Sequence, residues 1–237
     1  MSVSGVKAVL FDVFGTVVDW HGTMHREIDI FRGQKNATFD TGTFVTAWRT
    51  AYRQGLADIR AGKAPKISNR LVYRAGLEKL LAEHKVKNVS EAELEHLSRI
   101  DQRFQPWSDS IAGITRLKKK FITGTLSNGT LVALTNMAKN AGLPWDVIIS
   151  ADLLGAHKPA PEAYLKTATL LDLNPEEILL GAAHNYDLKA AQSNGYKTGF
   201  ICRPLEHGPN GKNETEAEGG WDIISDSIEE LAEKLGA

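Results

Sequence analysis

The stretch Lys7-Ala8-Val9-Leu10-Phe11-Asp12-Val13-Phe14-Gly15-Thr16 decides how this chain is read. Ala8–Phe11 is an unbroken apolar run between two charges, the pattern of a short strand buried on both faces. Asp12 follows at the carboxyl end of that strand, the edge at which open α/β sheets bind their ligands. Gly15 lets the backbone bend closely around the carboxylate. An isolated Asp at such a place reads as a turn residue or a helix N-cap. The rest of the chain overturns that reading by supplying further polar residues at the corresponding edge.

Beyond Asp12 the pattern changes twice. Between Met24 and Phe104 there are helical patterns and no convincing strand. Phe44, Trp48, Tyr52 and Leu56 recur at i+4 spacing, one buried face of a helix. Leu71, Leu77, Leu80 and Leu81 predict a second helix, and Leu94, Leu97, Ile100 and Phe104 a third, with Ser90 and Glu93 as its capping box. Gln105-Pro106-Trp107-Ser108-Asp109 reads as a hinge. Strands and helices then alternate: strands over 121–126, 147–150, 178–181 and 198–202, and helices over 130–141, 162–171 and 187–194. An edge strand is expected over 221–224 before a C-terminal amphipathic helix. Residues 204–220, polar and glycine-rich, read as a surface loop.

Strands separated by helices imply right-handed crossovers and a mostly parallel sheet. The expected fold is therefore α/β, a Rossmann-like core of residues 1–19 and 108–237. A helical cap domain, residues 20–107, is inserted after the first strand, which would place a lid directly over Asp12.

Composition removes several function classes. The chain has 237 residues, 28 basic and 29 acidic, and a net charge of -1, so no global bias favours nucleic acid or an anionic membrane. No stretch approaches the ~20 apolar residues of a membrane span. The N-terminal apolar run is broken by Lys7 and Asp12, unlike a signal peptide. A single cysteine excludes an intramolecular disulfide, in keeping with a reducing, cytoplasmic setting. The sequon at Asn213 is accordingly read as chance.

Asp12, Ser127-Asn128, Lys158 and Asp187 all fall at or just beyond the carboxyl ends of expected strands. With Asp12-Val13-Phe14-Gly15-Thr16, Lys158-Pro159 and the segment around Asp187 in this order, the chain resembles the haloacid dehalogenase-like hydrolases. Trp48-Arg49 and the spacing of Lys158 to Tyr164 are similar to the type II 2-haloacid dehalogenases within them. The resemblance spans nearly the whole chain. It implies hydrolytic dehalogenation of short 2-haloacids to 2-hydroxyacids, without metal or other cofactor, by a homodimer with only the small-molecule substrate as partner.

The residues also separate the subfamilies directly. A phosphatase of this kind needs a second Asp two residues after the nucleophile, to protonate a leaving alkoxide. That position is Phe14, which has no proton to give. Such enzymes bind Mg²⁺ through several carboxylates, whereas here His184 falls where another acid would help. Halide leaves as a stable anion, and an apolar neighbour would desolvate the attacking carboxylate. A Mg-dependent phosphatase and a non-catalytic relative remain the competing readings, the second because Ala182 stands where the family carries a polar residue. A serine hydrolase is disfavoured further, because Thr125 stands two residues before Ser127 and the Gly-x-Ser-x-Gly turn is absent.

By resemblance, Asp12 is the nucleophile and an ester forms on it. Lys158 keeps Asp12 ionised. Thr16, Ser127 and Asn128 hold the substrate carboxylate or Asp12, Arg49 meets the halide or the substrate carboxylate, and Phe14 and Tyr164 line the pocket. The segment Ala182-Ala183-His184-Asn185-Tyr186-Asp187 departs from the family pattern, with Ala182 and His184 replacing polar Ser and Asn. His184 is the candidate for positioning or deprotonating the hydrolytic water, with Asp19 or Asp187 as its expected partner.

Overall fold

The computed structural model describes residues 3–237. In chain order the elements are β1 (Ala8–Phe11), β2 (Val18–Asp19), α1 (Trp20–Gln34), α2 (Thr41–Arg60), α3 (Asn69–Glu83), α4 (Glu91–Ser98), β3 (Gln105–Pro106) and α5 (Ser110–Leu117). There follow β4 (Ile122–Ser127), α6 (Leu131–Ala141), β5 (Val147–Ser150), α7 (Ala151–Leu154), α8 (Pro161–Leu171), β6 (Ile178–Ala182), α9 (Asn185–Ser193), β7 (Lys197–Ile201), β8 (Ile223–Ser225) and α10 (Ile228–Lys234). The chain divides into two compact units. One joins the segment up to Trp20 with Phe104–Ala237, and the other is His21–Arg103.

The first unit is built on a six-stranded sheet in the order β5-β4-β1-β6-β7-β8, with every pairing parallel. This is the α/β architecture the alternation of strands and helices demanded. All four residues of β1 are fully buried at the centre of the sheet, as a strand covered on both faces must be. Phe11 lies opposite Thr125 of β4 and Gly181 of β6, so the residues that follow these strands emerge along one edge. A Cβ on Gly181 would fall 2.9 Å from the Phe11 ring, and only glycine leaves room for that ring. Asp12 N–H donates to Gly181 O at 3.0 Å, extending the ladder one residue and fixing where the carboxylate begins.

Two details depart from expectation. The edge strand forms at Ile223–Ser225 rather than 221–224, because the Asp222 carboxylate instead accepts the Thr198 N–H at 2.9 Å. The stretch read as a hinge contributes β3, which pairs antiparallel with β2. Two-residue strands are too short to leave a periodic signal.

The helical unit is set by its apolar stripes. Phe44, Trp48 and Tyr52 of α2 are buried, and α3 turns Val72, Tyr73, Leu77 and Leu80 inward. Leu71, expected on that buried face, is exposed; Val72 is the neighbour the helical angle turns inward. Ser90 and Glu93 form the capping box of α4, with Ser90 N–H donating to Glu93 Oε2 at 2.8 Å. No helix among the described residues is long and apolar enough to cross a membrane.

Candidate active site

Asp12 is buried, and both carboxylate oxygens are engaged. Lys158 Nζ donates to Oδ1 at 3.0 Å, and Thr16 Oγ1 donates to Oδ2 at 2.9 Å. Thr16 is oriented in turn by Ala183 N–H, which donates to its oxygen at 2.9 Å. The Lys158 ammonium also donates to Asp187 Oδ2, while Tyr164 OH donates to Asp187 Oδ1 at 2.6 Å. One buried cation thus lies between two buried carboxylates, one directly after β1 and one on α9. Burial of that kind is tolerated only where charges are paired and hydrogen-bonded.

The electrostatics follow from this arrangement. Burial would raise the Asp12 carboxyl, but Lys158 and His184 outweigh it and hold the group far below the usual carboxylate range. Burial likewise acts to discharge Lys158, and Asp12 and Asp187 outweigh it, so the ammonium keeps its proton. Burial pushes Asp187 upward, and Lys158 offsets only part of that.

The other expected site residues have the following protein partners. Asn128 does not reach Asp12. Its Oδ1 accepts the Lys158 N–H at 2.7 Å and its Nδ2 donates to Lys158 O at 2.9 Å, so it grips the backbone that presents the lysine. Ser127 Oγ accepts the Gly129 N–H at 3.1 Å. Tyr164 is wholly buried and serves Asp187 rather than an open pocket. Phe14, half-buried, packs edge-on against Phe104 with centroids 5.9 Å apart.

His184 has partners that no spacing announced. Nδ1 lies 3.1 Å from Asp12 Oδ2, and Nε2 lies 3.0 and 3.1 Å from the two oxygens of Glu206. The expected partners, Asp19 and Asp187, are displaced from this role because both ring nitrogens are already taken. Ionised carboxylates only accept hydrogen bonds, so a ring placed between two of them carries a hydrogen on each nitrogen and is an imidazolium. Burial would lower its pKa, but the bonds to Asp12 and Glu206 push it up to about 10. Glu206 sits below the ordinary glutamate value, since His184 overcomes the cost of its burial.

Glu206 corrects the reading of 204–220 as a surface loop, because it is only 4% exposed. Trp20 Nε1 donates to its Oε1 at 3.3 Å. Gly15 makes room for it: a Cβ there would fall 2.3 Å from Glu206 Oε1, at a backbone φ of +90°. The glycine of the opening motif therefore does two things, turning the chain and admitting a carboxylate from a distant loop.

Arg49 stands in the helical unit, on α2. Its Nη1 donates to Tyr73 OH at 2.6 Å, and its guanidinium lies 5.3 Å over the centroid of the Tyr52 ring. Tyr52 and Tyr73 stack at 3.8 Å, giving the arginine a rigid support. Burial pushes Asp101 of the same unit up to about 6, against the pull of Arg49.

Among the described residues, no three His, Cys, Asp or Glu are grouped so as to hold a metal ion. The space between Asp12 and Asp187 is taken by the Lys158 ammonium.

Comparison with known proteins places the chain in a family. Residues 6–195 match the family model of the haloacid dehalogenase-like hydrolases. The chain is 25% identical to an (S)-2-haloacid dehalogenase of Xanthobacter autotrophicus, over 84% of this chain and 76% of that protein. Among solved structures it is similar to a defluorinating L-2-haloacid dehalogenase, with 41% identity, a TM-score of 0.90, and coverage of 98% and 96% of the two chains. A second L-2-haloacid dehalogenase superposes with a TM-score of 0.90 at 39% identity, covering 98% of this chain and 99% of the other.

Proposed function

The chain belongs to the haloacid dehalogenase-like hydrolase family, and from that premise we infer that it hydrolyses short 2-haloacids to 2-hydroxyacids through an ester on Asp12. The observation that carries this reading is the state of Asp12, a buried carboxylate kept ionised by Lys158 and His184. Beside it Phe14 stands where a proton donor for an alkoxide would be needed. The phosphatase alternative lacks that donor.

In the first step an Asp12 oxygen attacks C2 of the substrate, and the halide leaves with the bonding electron pair. Thr16 and Lys158 orient the carboxylate so that its attacking oxygen is presented in one geometry. Asp187 and Tyr164 hold the lysine, and Asn128 holds the backbone from which it projects. For Arg49 we propose substrate recognition, supported by the Trp48-Arg49 motif and by the support that Tyr73 and Tyr52 give its guanidinium.

The second step gives His184 its role. Esterification removes the negative charge of Asp12, one of the two anions that held the imidazolium. The pKa of His184 then falls, and its proton leaves to solvent alongside the halide. Neutral His184, oriented by Glu206, takes a proton from water as the oxygen adds to the Asp12 carboxyl carbon. Collapse of the adduct expels the product oxygen, which takes the remaining hydroxyl proton of the adduct. Asp12 carboxylate and His184 imidazolium are thereby restored.

We extend the proposal to fluoride as a leaving group, since a relative at 41% identity is a defluorinating enzyme. We also propose the (S) substrate hand, by relation to the (S)-2-haloacid dehalogenases. The family resemblance alone carries the homodimer, which light scattering tests. Lone Cys202 supports a reducing, cytoplasmic setting.

The deciding experiment is a single turnover of (S)-2-chloropropionate in ¹⁸O-labelled water. The label should enter Asp12, while the first product molecule keeps the unlabelled oxygen that Asp12 supplied. Label in that first product instead would mean that water attacks the substrate directly. Parallel assays with p-nitrophenyl phosphate and Mg²⁺ test the phosphatase reading.

A further inference from the structure

The loop that delivers Glu206 is held by the residue next to His184. Asn185 is almost wholly buried and commits its backbone N–H and its whole side-chain amide to residues 214–221. Its backbone N–H and its Nδ2 both donate to Glu214 Oε2, at 2.8 and 3.0 Å. Nδ2 donates a second time to Glu216 O at 3.0 Å. Its Oδ1 accepts from Glu218 N–H and from Trp221 Nε1, both at 3.0 Å.

The grip passes back to Glu206 through two adjacent residues. Asn213 precedes Glu214, and its Oδ1 accepts the His207 N–H at 2.7 Å while its Nδ2 donates to Gly208 O and Gly211 O at 3.1 Å. His207 directly follows Glu206. At the other end of the loop, Arg203 makes a two-pronged ion pair with Asp109, both bonds 2.9 Å, and donates to Thr16 O at 2.8 Å. Glu206 is therefore suspended between a clamp at Arg203 and a clamp at Asn185.

A segment of this length with no helix or strand loses much conformational entropy on ordering. A carboxylate on it keeps a productive geometry only where its backbone is supported. We propose that Asn185 and Glu214 are positioning residues that hold Glu206 against His184, so that they govern ester hydrolysis and leave alkylation of Asp12 untouched. The inference rests on the reading of His184 and Glu206 as the water-activating pair.

The test separates the two steps in the full-length enzyme with (S)-2-chloropropionate. The burst of chloride reports alkylation, and the mass of the intact protein reports decay of the ester. Glu214→Ala should slow ester decay roughly tenfold and leave the burst rate unchanged. Glu214→Gln keeps an acceptor oxygen at the same reach and should restore most of the loss. In a Glu206→Gln background, Glu214→Ala should change ester decay by less than about twofold, as expected of residues acting through one another. Equal slowing of burst and decay, or full additivity with Glu206→Gln, would overturn the proposal. Should Glu206→Gln itself hydrolyse the ester at the parent rate, the underlying reading of the pair fails instead. Asn185→Ala should reproduce Glu214→Ala; if it fails to fold, the half-buried Glu214 keeps the question open to measurement.

Discussion

Glu206 meets His184 Nε2 at 3.0 Å although the two stand 22 positions apart in the sequence. The contact closes a chain of charge, Lys158–Asp12–His184–Glu206, in which each member sets the protonation of the next. It also divides the reaction into a half that Lys158 and Thr16 prepare and a half that His184 and Glu206 complete.

His184→Ala should therefore form the ester and fail to release it. Loss of a general base costs about 10²–10⁴-fold, so the covalent adduct on Asp12 should accumulate and be visible by intact-protein mass within one turnover. Release of one equivalent of halide with no further turnover is the matching kinetic signature. Unimpaired steady-state turnover would remove His184 from the mechanism.

The imidazolium also sets a pH dependence of stability. A histidine whose folded pKa is raised to about 10 contributes stability that is fully present below its unfolded value of ~6.5. That stability is lost as the pH rises through the folded value. Urea denaturation of the parent and of His184→Gln, compared from pH 6 to 10.5, should show the difference between them shrinking as the pH rises. A difference independent of pH would mean that the ring is neutral at rest.

Lys158→Met should expose the cost of its two carboxylates. Removing one partner of a buried ion pair costs roughly 3–5 kcal/mol, and here Asp12 and Asp187 would be left facing each other. In the variant their folded pKa values rise, so stability is present at low pH and lost as the pH increases. Denaturation at pH 4.5 and pH 7.5 should show the larger deficit at pH 7.5.

Tyr73→Phe removes the hydroxyl that accepts from Arg49 but keeps the ring that stacks on Tyr52. A hydrogen bond to a charged group contributes roughly 1.5–3 kcal/mol, so kcat/KM should fall about tenfold, mainly through KM. Thermal stability, measured alongside, should fall by roughly 3–12 °C, since 1 kcal/mol shifts Tm by about 2–4 °C in a chain of this size. A fall in kcat with KM unchanged would place Arg49 in the chemistry rather than in recognition.

Much of the fold was legible in advance because its signals are local. Ala8–Phe11 reads as a buried strand from four adjacent letters, and the i+4 recurrence of Phe44, Trp48 and Tyr52 reads as a helix face from its period alone. Errors arose where the signal was short or shared. Gln105–Pro106 is too brief to show alternation, and Leu71 and Val72 are equally apolar neighbours, so composition could not say which one turns inward.

The sequence by itself determined the α/β class, the edge on which Asp12 stands, and the polar groups carried to that edge by strands flanking β1. Those follow from periodicity and from the position of residues at strand ends, which topology then gathers. Only the tertiary structure decided the assignments among them: Asn128 to the Lys158 backbone, Tyr164 to Asp187, and His184 to Glu206 rather than Asp19 or Asp187. Glu206 left no mark in the sequence, since its loop has the polar, glycine-rich composition of any surface turn. It is buried because Asn185 and Arg203 pin the loop at two distant points and Gly15 leaves the space that a side chain would fill. Such contacts depend on where separate segments meet in space, and no local pattern of residues encodes that.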